Sequence, residues 1–276
     1  MSKLNVFLDL PQSQFYRDKQ EKLLLSYRIR KEQKKPYLVF LHGYNGNSKS
    51  WAYQFNYFKN KFSMIAIDFP GFGGSENMKD PDMFKVADLI HRALKSINVD
   101  KFTLIGHSMG GMLAQIICTN YKETVQKLIL SCTHTGYALT YKSPLRDPYQ
   151  NRLKQRKEMS DLEYGELRVR KMLPKLKDAK IFKFLAKISE EITEESILCG
   201  GTAMQILSTK SILNKIKCPC LILTGSEDIV VSEQKSSFLI KHIKHAKHQE
   251  LLGVGHAPYC EDHIKFNDAV YSFLKS

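Results

Sequence analysis

Apolar residues in this chain gather into short runs bounded by charge or glycine, with longer helix-periodic stretches between them. The runs Leu23 to Ile29, Tyr37 to Leu41, Ser63 to Asp68, Phe102 to Ile105, Val125 to Cys132 and Cys220 to Gly225 read as strands, with His248 to Leu252 as a last one. Helices are expected around Met83 to Ile97, from Met109 to Asn120 and over Asp262 to Leu274. Such alternation predicts an α/β domain with a mostly parallel central sheet flanked by helices on both faces.

One stretch breaks the rhythm. From His134 to Thr209 there is no buried strand pattern, only the helical segments Arg152 to Met159, Asp161 to Leu173 and Ala179 to Ile188, punctuated by Pro174 and by Gly200-Gly201. The strand pattern resumes at Ile216. This predicts a core made of residues 1–133 and 210–276, with residues 134–209 inserted over the end of the sheet as a helical cap. Lys241 to His248 reads as a basic, histidine-rich helix end.

The chain has 276 residues, 43% of them hydrophobic and 25% charged, which suits one large α/β domain carrying an insertion. No apolar run approaches the roughly 18 residues of a membrane span. Met1 to Val6 lacks the basic and apolar regions of a secretory signal, so a cytoplasmic location is the expectation. The six cysteines fit that expectation as reduced structural thiols. Cys118 and Cys132 sit in apolar segments, and no zinc-ribbon or thioredoxin spacing is present. The net charge of +14 is concentrated in residues 142–187, which hold 14 Lys/Arg against 6 Asp/Glu. No nucleic-acid module accompanies it. It reads as a solvated surface, with an acidic carrier protein as the alternative partner.

The chemistry gathers at strand ends. Gly106-His107-Ser108-Met109-Gly110 means little alone, but it stands where Leu104-Ile105 ends a strand and Gly111 to Gln115 begins a helix. A serine in that turn has a strained backbone and an exposed hydroxyl, while the helix N-terminus favours a developing oxyanion. Serine needs a base. His256, in the loop Gly253 to Pro258 after the last strand, is placed to act as one, and Asp228, after the strand Leu221 to Thr224, to orient it. Glu227 stands beside Asp228, and either carboxylate could be a turn residue; the strand-end position favours Asp228. The order Ser108, Asp228, His256 is the expected one. The backbone N–H groups of Tyr44 and Met109 are candidates for an oxyanion hole. His42 reads as shaping that loop, and His107 as a packing residue. Trp51 and Phe72 could line an acyl pocket or belong to the core. His242, His245 and His248 could share a helical face as metal ligands, but the interleaved lysines oppose a cation.

Together, His42-Gly43, Asp68-x-Pro-Gly-x-Gly-x-Ser75, Gly106 to Gly111, Gly225-x-x-Asp228 and Gly255-His256 resemble the α/β-hydrolase superfamily. The likeness is greatest to its single-domain esterases, enol-lactonases, cofactor-free perhydrolases and carbon–carbon bond hydrolases. It covers about residues 20–133 and 215–275. It implies an α/β-hydrolase fold with a variable helical cap after the sixth strand, which corresponds to residues 134–209. Ser108 stands where epoxide hydrolases and haloalkane dehalogenases carry aspartate, which argues against those chemistries. The loop after His42 also lacks the Gly-Gly-Pro-Gly of proline iminopeptidases.

The expectation is a serine hydrolase cleaving a small-molecule carboxylic ester through an acyl-enzyme, with no metal or organic cofactor. Alternatives are an esterase or thioesterase acting on acyl groups of an acidic carrier protein, such as a pimeloyl-carrier methyl esterase. A lysophospholipase or monoacylglycerol lipase, a carbon–carbon bond hydrolase and a non-catalytic receptor complete the set. The sequence leaves oligomeric state open.

Overall fold

A computed structural model describes residues 9–276, so Met1 to Val6, read above for signal character, lie outside the described residues. In chain order the strands are β1 (Ser13–Arg17), β2 (Leu24–Arg30), β3 (Tyr37–Leu41), β4 (Ser63–Ile67), β5 (Phe102–His107), β6 (Val125–Ser131), β7 (Cys220–Gly225) and β8 (Lys247–Leu251). They form one sheet in the order β1-β2-β4-β3-β5-β6-β7-β8. β1 and β2 pair antiparallel, as do β2 and β4, and every other pairing is parallel.

Helices are α1 (Ala52–Phe58), α2 (Met83–Ser96), α3 (Met109–Asn120), α4 (Asp147–Glu158), α5 (Asp161–Met172), α6 (Ala179–Ser189), α7 (Glu194–Ile206), α8 (Glu233–His242), α9 (Pro258–Glu261) and α10 (His263–Lys275). The alternating side chains of the strands sort them between two cores. Val39, Leu41, Ile65 and Ile67 join residues of α2 and α3 on one side. Leu38, Phe40, Met64 and Ala66 join residues of α1 and α10 on the other. The sequence fits each place. Asp82 caps α2 by accepting the Phe84 and Lys85 N–H groups, and Val86, Leu89, Ile90 and Ala93 form its buried stripe.

Helices α4 to α7 form the insertion after β6. Its two ends meet in an antiparallel bridge between Gly136 and Ser208, and Thr209 N–H donates to Thr135 O at 2.9 Å. Gly200 and Gly201 correct the expectation, because α7 runs straight through them. Their role is close approach: a β-carbon at Gly200 would lie 2.8 Å from the Tyr44 ring. A second correction concerns the basic helix end. Helix α8 stops at His242 and His248 lies in β8, so the three histidines share no helical face.

Candidate active site

The parallel strands β3 to β8 all end on one edge of the sheet, and the loops leaving that edge bring the predicted residues together. At the end of β5, Ser108 takes φ 51° and ψ −114°, a region that costs a non-glycine residue roughly 1–3 kcal/mol. Its surroundings hold it there. Ser108 N–H donates to Ser131 O at 2.9 Å, and the Thr133 hydroxyl donates to Ser108 O at 2.6 Å. Glycine is required on both sides: a β-carbon at Gly106 would lie 2.4 Å from Gly110 O, and one at Gly110 would lie 2.2 Å from Leu41 O.

Beyond the serine runs a chain of hydrogen bonds. Ser108 Oγ lies 3.1 Å from His256 Nε2, and His256 Nδ1 lies 2.9 and 3.1 Å from the two Asp228 carboxylate oxygens. The side chains of His256 and Asp228 are 4% and 5% exposed, so water competes little for that bond. Asp228 also accepts the N–H groups of Val230 and Val231 at 2.8 and 2.9 Å. Burial pushes its carboxyl upward, but the bonds from His256 and these two amides outweigh that and hold it below the usual range. Glu227 turns away to pair with Lys175 at 3.4 Å. Glu261 accepts the Gly255 N–H at 2.9 Å and so pins the loop that carries His256.

The neighbouring loops lean on the serine. A β-carbon at Gly43 would stand 3.2 Å from Ser108 Cβ, which brings the backbone before Tyr44 against the hydroxyl-bearing carbon. Among the described residues, neither the Tyr44 nor the Met109 N–H donates to a protein acceptor. His42 donates from Nδ1 to Gly43 O at 2.8 Å and accepts the Phe69 N–H at Nε2 at 3.0 Å, tying this loop to the turn after β4. That turn is centred on buried Asp68, which accepts from Ser26 Oγ and from the Ser48 N–H. His107 is buried beside His256, and burial followed by that neighbour drives its basicity far down, leaving a neutral ring. Trp51 and Phe72 belong to the core rather than to the cavity wall.

Cys132, Asp228 and His256 are the metal-like cluster among the described residues, their ligand atoms lying within 4.8 Å of one another. Burial pushes the Cys132 thiol well up, toward its protonated form, which is a poor ligand and a poor nucleophile. None of the six cysteines forms a disulfide. The histidines near the C-terminus have separate partners: His242 stacks on Phe238 at 3.8 Å, His245 meets Cys218 O, and His248 meets Thr224 Oγ1.

Ser108 and His256 open into a cavity of about 390 Å³ between the sheet edge and the cap, which Tyr44, Met112, Tyr149 and Met204 also line. Sequence reasoning missed the cations in this wall. Arg152 and Arg168 line it, and Lys171 stands exposed at its rim. The reading of the 142–187 charge excess as a solvated surface fails at Arg168, which is only 4% exposed.

Comparison with known proteins agrees with this architecture. Residues 36–262 match the family described as alpha/beta hydrolase fold, and the chain belongs to that family. Epoxide hydrolase 4 of Mus musculus is 34% identical over 119 residues, 42% of this chain and 33% of that protein; the match thus spans about a third of that relative. The pimeloyl-[acyl-carrier protein] methyl ester esterase of Hamiltonella defensa is 25% identical over 250 residues, 86% of this chain and 92% of that enzyme. Among solved structures, the enol-lactonase from Burkholderia xenovorans LB400 superposes with a TM-score of 0.83 at 17% identity, covering 95% of this chain and all of that one. No helix among the described residues is long and apolar enough to cross a membrane.

Proposed function

We propose that this protein is a serine hydrolase that cleaves carboxylic esters through a covalent acyl-enzyme. The observation that carries the reading is the continuous chain from Ser108 Oγ through His256 to Asp228, with one end in the cavity and the other buried. His256 Nε2 accepts the Ser108 proton as Oγ attacks the ester carbonyl, and the tetrahedral oxyanion is held by the N–H groups of Tyr44 and Met109. His256 then passes the proton to the leaving alcohol. In the second half a water, deprotonated by the same imidazole, attacks the acyl-serine, and the imidazolium returns the proton to Ser108 Oγ as the acid is released. Asp228 fixes the imidazole with its proton on Nδ1 and stabilises the imidazolium in both halves.

Two rival nucleophiles are disfavoured by position. Cys132 is buried, and its thiol is held in the neutral form. The elbow of the chain carries serine at 108, so the aspartate chemistry of epoxide opening has no residue to perform it there. In this reading residues 134–209 form the cap that selects the substrate, and the named activity of the pimeloyl-carrier relative, methyl ester cleavage, falls within the proposed class.

The direct test compares wild type with Ser108→Ala on p-nitrophenyl acyl esters of increasing chain length. Removing the nucleophile lowers kcat by about 10⁴-fold or more. Turnover within tenfold of wild type in the variant overturns the assignment.

A further inference from the structure

Three groups stand outside the reaction just described: the cations of the cavity wall, the thiols of Cys118 and Cys218, whose sulfurs lie 3.3 Å apart without a disulfide, and the exposed lysines of the cap. The first carries the argument furthest. Arg168 projects from α5 into the same cavity as Ser108 and is 96% buried, since only 4% of it is exposed. A buried guanidinium calls for a carboxylate partner. Among the described residues Arg168 has none: one terminal nitrogen donates to Gln155 Oε1 at 2.5 Å, and its Nε, fully buried, has no acceptor. Its charged neighbour is Arg152, which donates to Asn45 Oδ1 at 2.6 Å and lies over the Tyr44 ring at 4.6 Å. Burial and then the like charge of Arg152 pull Arg168 down to about 10. Among the described residues no aspartate or glutamate lines the cavity. Two guanidiniums lining one cavity without a carboxylate beside them suit an anion that comes and goes.

We infer that Arg168 and Arg152 form a subsite for an anionic group of the substrate, a carboxylate or a phosphate monoester carried on the ester that Ser108 cleaves. The inference rests on the ester-hydrolase reading. The planar, multi-donor guanidinium suits either oxyanion, and the free Nε supplies an unused donor. Binding energy from this remote group would orient the scissile carbonyl over Ser108.

The test uses matched substrates that differ in one charge. Monomethyl adipate is compared with methyl hexanoate, and a 1-acylglycerol 3-phosphate with the 1-acylglycerol. In the wild type, kcat/KM favours the anionic member of at least one pair by tenfold or more, and the favoured pair tells carboxylate from phosphate. Arg168→Met collapses that ratio toward one, with Arg152→Met as the second variant should the first fail to fold. Lys154→Gln, on the exposed side of α4, keeps the ratio. An equal ratio in wild type and Arg168→Met overturns the subsite while leaving ester hydrolysis intact. Binding is read separately on Ser108→Ala protein, where adipate or inorganic phosphate raises Tm and the added Arg168→Met removes the rise. A rise that persists without Arg168, or no rise with either anion, counts against the subsite. Arg168-dependent protection, found together with a wild-type protein that turns over no ester, upholds the subsite and sinks the hydrolase reading.

Discussion

At the scale of single residues, the site divides into groups that sequence marks and groups it hides. Ser108, Asp228 and His256 each follow a glycine by one to three residues near the end of an apolar run, because a side chain reaching over a sheet edge needs a tight turn behind it. Arg168 carries no such mark; in sequence it is one more cation on a basic helix, and only the fold shows that it faces inward. Asp228 sits in the hydrogen-bond chain as an acceptor of two amides and one imidazole, so Asp228→Asn keeps the shape and reverses the donor sense toward His256 Nδ1. The expected outcome is a loss of about 10³–10⁴ in kcat with little change in KM, measured on a p-nitrophenyl ester. Arg168 gives an opposite sign in stability. Taking away a buried, unpaired charge removes a desolvation cost, so Arg168→Met raises Tm by about 2–4 °C by calorimetry, even as it impairs anion selection.

Elements were legible where periodicity and burial agree. Strands β3 to β7 are buried nearly throughout, and their continuous apolar runs show it. β1 escaped notice because it is a five-residue edge strand with mostly exposed side chains, held by backbone pairing to β2. Helix α1 was missed because its seven residues span under two turns, too few to show a period. Gly200-Gly201 reads as punctuation in the sequence, and no helix is expected there, because propensity treats glycine as a breaker, whereas in α7 it admits Tyr44, whose hydroxyl donates to Ile197 O at 2.6 Å. Gly200→Ala therefore tests the element. Alanine gains about 1 kcal/mol of helix propensity but forces its β-carbon into the Tyr44 and Phe72 rings, at a cost of roughly 1–3 kcal/mol. Net destabilisation of about 1 kcal/mol in urea unfolding is expected, with a fall in kcat if Tyr44 supplies the proposed oxyanion N–H; a more stable, fully active variant would refute the packing role.

For the whole molecule, the sheet order places the loops that carry Ser108, Asp228 and His256 on one edge, and the cavity beside them is lined by core and insertion together; in the proposed reading the chemistry comes from the core and the anion subsite from the cap. Stability is anchored elsewhere. Asp18, buried after β1, accepts from Arg92 on α2 at 2.8 and 3.0 Å, and these bonds bring its carboxyl down to about 2 despite its burial. A lowered carboxylate stabilises the fold above the unfolded value near 4 and loses that contribution as pH falls toward about 2. With Arg92 27% exposed and the pair partly screened, Asp18→Asn should cost about 1–2 kcal/mol at pH 7 and almost nothing at pH 2, by denaturant titration at both. Chemistry at Ser108 remains the claim on which the rest depends. Rapid quenching of the protein with a p-nitrophenyl ester, followed by peptide mass spectrometry, reads it directly. The account predicts one acyl group on the peptide bearing Ser108, absent from Ser108→Ala; acylation of Cys132 instead, or steady turnover with no acyl-enzyme in a Ser108→Ala protein, would contradict it.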